Sequence, residues 1–173
     1  MEFEPSHCPF CGEKLGETTE EGRKRLHCSS CDRVIWKNAE PVAAVIVRRD
    51  EEILLIKRGI EPAKGSWSLP AGFLEYEEHP DEAAARELEE ETGLKIDPED
   101  LEILEAMNME RFPGQRLLAT IYTVDSEKGS GTISAGDDAV EADFWELKEF
   151  ENSEEQLREH FLEAIKKSLN QNE

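Results

Sequence analysis

The feature that most constrains the fold of this chain is the position of its four cysteines, which all lie within the first 31 residues. They form two Cys-x2-Cys pairs, Cys8 with Cys11 and Cys28 with Cys31, and 16 residues separate the pairs. The thiolates of such a pair can converge on one ion, and a second pair then completes a closed tetrahedral zinc site. The spacing therefore predicts a small module over residues 1–38 that is built around a structural zinc ion.

Two disulfides are the alternative interpretation of the same cysteines. The start of the chain lacks the basic and apolar regions of a secretion signal, so we expect a cytoplasmic protein with reduced thiols, which favours zinc. Between the pairs, residues 23–27 have the composition of a strand that returns to the second pair. Together these features resemble a zinc ribbon, and such a module supports little chemistry of its own.

The charge of the chain limits its partners. The 173 residues include 41 acidic and 20 basic side chains, a net charge of -21, so nucleic-acid phosphates should be repelled overall and nucleic acid is not the expected partner. Adaptation to high internal salt and an ordinary solvated acidic surface both explain this acidity. No apolar run approaches the roughly 20 residues of a membrane helix, so we expect no membrane association.

The rest of the chain, residues 39–173, alternates strands with helices. Apolar runs at 42–47 and 53–56 predict a buried hairpin, and further strands are expected near 101–110, 116–125 and 139–146. Pro80, three alanines and Gly93 predict a helix over residues 80–92. Ser153 and Gln156 form a capping-box pattern before an apolar stripe from Leu157 to Leu169, which predicts a C-terminal helix. The pattern indicates an α/β sandwich.

Three carboxylates of the central helix carry the strongest functional signal. Glu87, Glu90 and Glu91 stand at i, i+3 and i+4, so they emerge on one face and repel one another. Mg2+ or Mn2+, which prefer hard oxygen ligands, would neutralise that repulsion. A solvated acidic face of a Glu-rich chain is the alternative.

The spacing of the residues around these carboxylates resembles a known motif. Gly72, five residues, Glu78, seven residues and then Arg86-Glu87-Leu88-Glu89-Glu90-Glu91-Thr92-Gly93-Leu94 match every defined position of the Nudix box. The resemblance implies a Nudix-type α/β/α sandwich with a mixed sheet, preceded here by the zinc ribbon. It also implies a hydrolase that uses divalent metals to cleave a nucleoside diphosphate linked to another group.

The resemblance also implies roles for individual residues. Glu87, Glu90 and Glu91 match the metal-binding carboxylates, and the backbone carbonyl of Ala71 matches a further metal ligand. Glu78 matches the first glutamate of the box, which assists metal binding or shapes the loop, and Arg86 is expected to anchor the helix by pairing with a carboxylate such as Glu90.

The general base is expected to be a box glutamate or an acid on a downstream loop. Asp137, Asp138 and Glu141 lie in that region, and Asp138 is the preferred candidate. Arg58 is the preferred phosphate anchor, because a guanidinium engages phosphate oxygens bidentately. Trp67 and Phe73 are candidates for stacking on a base, whereas Trp36 and Trp145 are expected in the core.

The ribbon and the Ala-Gly-Phe sequence at 71–73 resemble NADH pyrophosphatases and related ADP-ribose hydrolases. Residues 105–114 depart from the Ser-Gln-Pro-Trp-Pro-Phe-Pro-x-Ser motif of the NADH enzymes, so ADP-ribose or a related dinucleotide is the expected substrate. A nucleoside triphosphate pyrophosphatase and a catalytically weak nucleotide- or RNA-binding module are the alternatives. Relatives with a ribbon are often homodimers, and a homodimer is expected here by analogy.

Overall fold

A computed structural model describes residues 5–158 and 161–170. The first four residues, and with them most of the N-terminal stretch used to argue against a secretion signal, lie outside this range. The chain divides into two compact units. The cysteine unit lies within residues 1–39 and 110–116, and the larger unit lies within residues 40–109 and 117–173.

The cysteine unit contains a three-stranded antiparallel sheet. Its strands, in spatial order, are β1 (Gly16–Glu20), β2 (Arg23–Cys28) and β3 (Arg33–Ile35). Glu21 and Gly22 join β1 to β2 with φ angles of 49° and 75°, the left-handed pair that a two-residue hairpin turn requires. Trp36 follows β3, and its ring is 54% exposed with the Arg25 guanidinium 5.1 Å from its centroid. The expectation of a core position for Trp36 is therefore wrong.

In its described residues, the larger unit contains a mixed sheet and three α-helices. Its elements are β4 (Glu40–Arg49), β5 (Glu52–Arg58), β6 (Trp67–Ser68), β7 (Ala71–Phe73), α1 (Pro80–Thr92), β8 (Leu94–Lys95), β9 (Glu102–Phe112), β10 (Gln115–Asp125), β11 (Ser130–Gly131), β12 (Ala139–Glu146), α2 (Leu147–Glu151) and α3 (Leu162–Asn170). The main strands run in the order β12, β5, β4, β10 and β9. Strand β4 pairs with β10 in parallel, and both β4 and β12 pair with β5 antiparallel. Two short strands, β6 on β5 and β7 on β4, complete this sheet, and β8 pairs with β11 separately.

Strands β4 and β5 form the predicted hairpin only at its turn. Arg48 pairs with Ile53 and Arg49 with Glu52, and beyond these positions the two strands take other partners. Strand β6 pairs with β5, and β7 pairs with β4 over Val42–Ala44. The segment from Trp67 to Phe73 therefore lies between the two strands, which brings β7 next to α1.

Alternate residues of β4 face two separate cores. Val45 and Val47 belong to the cluster that contains Leu88 of α1, whereas Ala44 and Ile46 belong to the cluster that contains Ile165 of α3. Successive strand residues point to opposite faces, so helices cover both faces of the sheet. This arrangement is the predicted α/β/α sandwich.

The C-terminal segment departs from the prediction. Helix α3 begins at Leu162, and Ser153 donates its hydroxyl to the carbonyl of Phe150 instead of starting a helix. The N–H of Trp67 donates to the carbonyl of Gln156, and the N–H of Arg158 donates to the carbonyl of Trp67. The capping-box prediction is wrong because the backbone of this segment forms hydrogen bonds with Trp67 of β6 instead of starting a helix. Within the described ranges, no helix is long and apolar enough to cross a membrane.

Candidate active site

Helix α1 fixes the spacing of the candidate site, and it spans the predicted residues, Pro80–Thr92. Its first turn is closed by Glu82, whose carboxylate accepts the N–H of His79 at 2.9 Å. Its end is closed by Gly93, at a φ of 72°, whose N–H donates to the carbonyl of Glu89. Glycine adopts this conformation at the lowest cost because it has no Cβ, so both ends of the helix are defined locally.

Arg86 is the centre of an ion-pair network on this helix. Its Nε and Nη2 donate to the two carboxylate oxygens of Glu78 at 2.7 and 2.9 Å. Its Nη1 donates to Glu87 at 2.7 Å and to Glu90 at 3.0 Å, and Nη2 also donates to the carbonyl of Phe73. The predicted pairing of Arg86 with Glu90 is confirmed. One guanidinium thus ties the loop before α1 to the carboxylates on its surface.

Glu78 is occupied by this network. Its hydrogen bonds from Arg86 hold the pKa of the carboxyl below its usual range. It also accepts the N–H of Glu75, which closes the loop between β7 and α1. These contacts favour the second of the two predicted roles, shaping the loop.

Glu91 is the most deeply buried of the three helix carboxylates. It is 3% exposed, and its Oε2 accepts the N–H of Ala71 at 2.9 Å. Its pKa is raised to about 8, chiefly by burial and also by the charges of Glu87 and Asp138, against the lowering effects of Ala71 and Arg58. Burial also raises the pKa of Glu87, against the effect of Arg86. In both groups, the nearby positive charge is therefore too small to offset the cost of removing the ionised carboxylate from water.

Two glycines allow other chain segments to approach the end of α1 that carries these residues. A Cβ on Gly72 would overlap the carboxylate of Glu87, so any other residue there would displace that carboxylate. A Cβ on Gly136 would overlap the backbone carbonyl of Glu90, and the N–H of Gly136 donates to the carbonyl of Glu91 at 3.1 Å. Strand β7 consequently lies against the carboxylate of Glu87, and the chain at Gly136 lies against the backbone of the last turn of α1.

The donor set fits a divalent cation. Carboxylate oxygens are ligands that Mg2+ and Mn2+ prefer, and a cation would stabilise the ionised forms of the half-buried Glu87 and the buried Glu91. Their oxygens, with those of Glu90, are less tightly grouped than the thiols described below. In the part of the chain that the structure describes, only the four cysteines form a group whose ligand atoms all lie within 4.8 Å of one another.

Arg58, Phe73 and Asp138 lie around this carboxylate face. Arg58 and Asp138 both influence the pKa of Glu91, and the N–H of Gly59 donates to the carbonyl of Asp138 at 2.7 Å. The Nε of Arg58 donates to the carbonyl of Pro62 at 3.0 Å. Phe73 is 40% exposed.

Trp67 cannot stack on a base, so that prediction is wrong. The residue is 1% exposed, and its ring makes edge contacts with Trp145 at 5.3 Å and Phe150 at 6.4 Å. Its Nε1 donates to Glu155 at 2.9 Å. Glu155 lies in a Glu-rich segment with no motif, so nothing in the sequence distinguishes it from its neighbours.

The four thiols of the cysteine unit converge as predicted. The Sγ atoms of Cys8 and Cys31 are 3.7 Å apart, those of Cys11 and Cys28 3.5 Å, and those of Cys11 and Cys31 3.9 Å. A disulfide would require about 2.05 Å, whereas zinc with tetrahedral Zn–S bonds of about 2.3 Å separates its ligands by roughly 3.8 Å. All four cysteines are free. The geometry fits zinc and does not fit the disulfide alternative.

The pKa values of these thiols reflect their crowding. Desolvation raises the pKa of Cys8, but hydrogen bonds from the backbone at Phe10 and Cys11 outweigh it, so the net shift is downward. The pKa of Cys31 is raised, first by its hydrogen bond with Cys28 and then by desolvation. Four thiolates at these separations need a cation, and Zn2+ is the cation that tetrahedral thiolate sites favour.

Comparison with known proteins identifies relatives of the larger unit. The family model described as NUDIX domain matches residues 38–165. An ADP-ribose pyrophosphatase of Methanocaldococcus jannaschii is 40% identical over 110 residues, which cover 62% of this chain and 63% of that protein. An NAD-capped RNA hydrolase NudC of Shigella dysenteriae is 30% identical over 134 residues, which cover 76% of this chain and 49% of that protein.

A solved structure supports the same fold. The crystal structure of a NUDIX hydrolase from Nitrosomonas europaea matches with a TM-score of 0.67 and 26% identity, over 84% of this chain and 80% of that one. The chain thus spans about half to two thirds of the length of the two curated relatives.

Proposed function

Because the chain belongs to the NUDIX domain family, we propose that it is a hydrolase that uses a divalent cation to cleave the pyrophosphate link of a nucleoside diphosphate derivative. The observation that carries this proposal is the pair formed by the buried Glu91 and the half-buried Glu87, placed beside β7, with Glu87 linked by Arg86 to Glu78. An acidic surface patch would not need two desolvated carboxylates with raised pKa values.

The carboxylates of Glu87, Glu90 and Glu91, with the carbonyl of Ala71, are the proposed ligands of Mg2+ or Mn2+. A bound divalent cation neutralises phosphate charge and acidifies water. Glu78 and Arg86 position these ligands and do not contact the substrate in this proposal. Glu91 binds the N–H of Ala71 through one oxygen, so the loop and the helix are held in register before substrate arrives.

Three further side chains have proposed roles toward the substrate. The guanidinium of Arg58 binds phosphate oxygens, because it is the cation that faces Glu91 from strand β5. The carboxylate of Asp138 accepts the proton of the attacking water. The exposed ring of Phe73 stacks on the base. Glu141 is a weaker candidate base than Asp138, because its carboxylate pairs with Lys57 at 3.4 Å.

ADP-ribose is the preferred substrate, with related dinucleotides next. The relative with 40% identity is an ADP-ribose pyrophosphatase, while the NudC relative is 30% identical and residues 105–114 lack the NADH motif. Because one ADP-ribose molecule contains a single pyrophosphate link, its hydrolysis should yield AMP and ribose 5-phosphate.

A substrate panel tests this proposal. ADP-ribose, NADH, diadenosine polyphosphates, nucleotide sugars and nucleoside triphosphates are incubated with the protein and Mg2+ or Mn2+, and the products are identified by mass. We expect AMP and ribose 5-phosphate from ADP-ribose at a rate well above the others. Faster pyrophosphate release from nucleoside triphosphates would replace the substrate assignment, and survival of every compound would favour the binding-module alternative.

Glu90→Gln and Glu89→Gln make a matched pair for the same assay. Both changes remove one charge from α1, but Glu89 pairs with the exposed Lys95 and has no place in the proposed ligand set. Glu90→Gln should abolish turnover and Glu89→Gln should preserve it. Equal activity of both variants would contradict the metal assignment.

The cytoplasmic location and the homodimer are also proposed. Both rest on analogy with relatives, and the free thiols favour a reducing compartment. Sedimentation at micromolar concentration tests the dimer: a mass near twice 19.7 kDa is expected, and a monomer would contradict it.

A further inference from the structure

A carboxylate outside the proposed metal site joins three segments of the larger unit. Glu155 accepts the Nε1–H of Trp67 at 2.9 Å through one oxygen and the ammonium of Lys57 at 3.0 Å through the other. Backbone hydrogen bonds of Trp67 with Gln156 and Arg158 flank this contact. The C-terminal segment 153–158 is therefore fastened to both β5 and β6.

Both side chains that contact Glu155 lie shortly before residues of the proposed site in the sequence. Trp67 starts the segment whose residue Ala71 donates its N–H to Glu91. Lys57 precedes Arg58 on β5, and neighbouring strand residues point to opposite faces. Lys57 is thus held on one face by Glu155 and Glu141, while Arg58 shares the other face of β5 with Leu54, which packs in the cluster that contains Leu88 of α1.

Burial makes the contact with Trp67 important. The indole ring is almost inaccessible, and a buried indole N–H without an acceptor is costly. Glu155 supplies that acceptor, and Lys57, which is 20% exposed, supplies a compensating charge close to it. The neighbouring Glu154 is exposed, so it provides a matched position with the same side chain.

We propose that Glu155 is a positioning residue of the pyrophosphatase site, which acts through Trp67 on the loop that carries Ala71 and through Lys57 on the strand end that carries Arg58. The kinetic part of this inference rests on the proposed function. Its structural part, a coupling between Glu155 and the hydrogen bond from Ala71 to Glu91, does not.

Kinetics of three variants test the positioning role. Glu155→Ala should lower kcat for ADP-ribose about tenfold with KM within about twofold, since the reacting groups lose alignment while substrate contacts remain. Glu155→Gln should recover most of this loss, because its amide oxygen can still accept the indole N–H. Glu154→Ala should match the wild type. A loss of thermal stability in Glu155→Ala with unchanged kcat at 25 °C would show a merely structural role and overturn the proposal.

Hydrogen exchange of the Ala71 amide provides a readout that needs no activity. We expect about tenfold faster exchange at Ala71 in Glu155→Ala than in Glu154→Ala, with unchanged exchange at Ile121, which is fully buried in β10 and does not pair with the Trp67–Phe73 segment. Wild-type protein that hydrolyses nothing but shows this difference would refute the proposed function and retain the coupling. Equal Ala71 exchange in both variants would refute the coupling whatever the activity. If Glu155→Ala does not fold, Glu155→Asp replaces it, because this change keeps the charge but shortens the side chain by one methylene. The same two measurements, kcat for ADP-ribose and exchange at Ala71, then decide the proposal.

Discussion

The thiol cluster of the cysteine unit and the carboxylate cluster on α1 differ in whether a positively charged side chain lies among their candidate ligand atoms. The four thiols face one another within 4.8 Å, and no positively charged side chain is placed among them in the described contacts. The carboxylates instead surround Arg86, which pairs with Glu78, Glu87 and Glu90. Only Glu91 among the helix ligands has no contact with Arg86 among the described ion pairs, and it is the most buried.

This difference fits the proposed division between a structural metal and a catalytic one. Four thiolates around one ion complete a tetrahedron and leave no position for water or substrate, so an ion bound there would hold the chain together. A carboxylate cluster that already carries an internal cation keeps its shape without metal and can bind and release an ion. The comparison predicts that loss of zinc changes the fold and that loss of Mg2+ or Mn2+ changes only the activity.

The largest expected effect is the loss of the zinc site. Cys28 is fully buried in the cysteine unit, so Cys28→Ser should reduce zinc from about one ion per chain to nearly none and remove roughly 10 kcal/mol of binding energy that orders β1, β2 and β3. Metal analysis and NMR spectra of the β2 amides check this, with Ser29→Ala as the control. A zinc-free protein with unchanged β2 amide signals would contradict the claim that zinc is needed to order the cysteine unit.

The next effect concerns the buried carboxylate of α1. Glu91→Gln keeps an oxygen to accept the N–H of Ala71 but loses the charge, so kcat should fall by roughly 10²–10³ while the fold persists. Steady-state kinetics and thermal unfolding measure the two quantities, and Glu89→Gln is the control. Unchanged kcat would remove Glu91 from the ligand set.

A smaller loss is expected from a backbone change beside the same cluster. Gly72→Ala places a methyl group where the Glu87 carboxylate lies, so this carboxylate must move and kcat should fall about 10²-fold. Gly16→Ala is the control, because the nearest atom to its added Cβ is 3.9 Å away. Equal kcat in both variants would show that the position of Glu87 is not critical.

The smallest expected effect is on stability and concerns Glu155, whose carboxylate pairs with Lys57. Lys57 and the Trp67 indole lower its pKa in the folded state, so its contribution to stability is present above the unfolded pKa of about 4.3 and is lost as pH falls through the lower folded value. The wild type should exceed Glu155→Gln in urea stability at pH 7, and the gap should close below about pH 4. A gap that widens on acidification would contradict this ion pair.

Local signals in the sequence predicted α1, while long-range pairing decided what they missed. Pro80 and Gly93 mark the ends of α1, and the structure begins and ends the helix at these positions. The capping-box pattern at Ser153 is also a local signal, but the backbone groups of Trp67 at the sheet edge bind this segment instead. Tertiary hydrogen bonds therefore outweighed a helix-start pattern of four residues.

The candidate site shows the same division. The spacing of the box predicted which carboxylates share a face of α1, because helix geometry fixes that relation. It could not predict that the ring of Trp67 is buried against Trp145 and Phe150, since those contacts join segments about 80 residues apart. Glu155 was missed for this reason, because its importance depends on the burial of Trp67.

One metal-replacement experiment tests the division between the two clusters most directly. The protein is dialysed against buffer passed over a chelating resin, its zinc content is measured, and hydrolysis of ADP-ribose is followed as Mg2+, Mn2+ or Zn2+ is returned. We predict that about one zinc ion per chain remains, that activity is absent, and that Mg2+ or Mn2+ restores it. Activity that persists without added cations, or that returns only with Zn2+, would contradict the account.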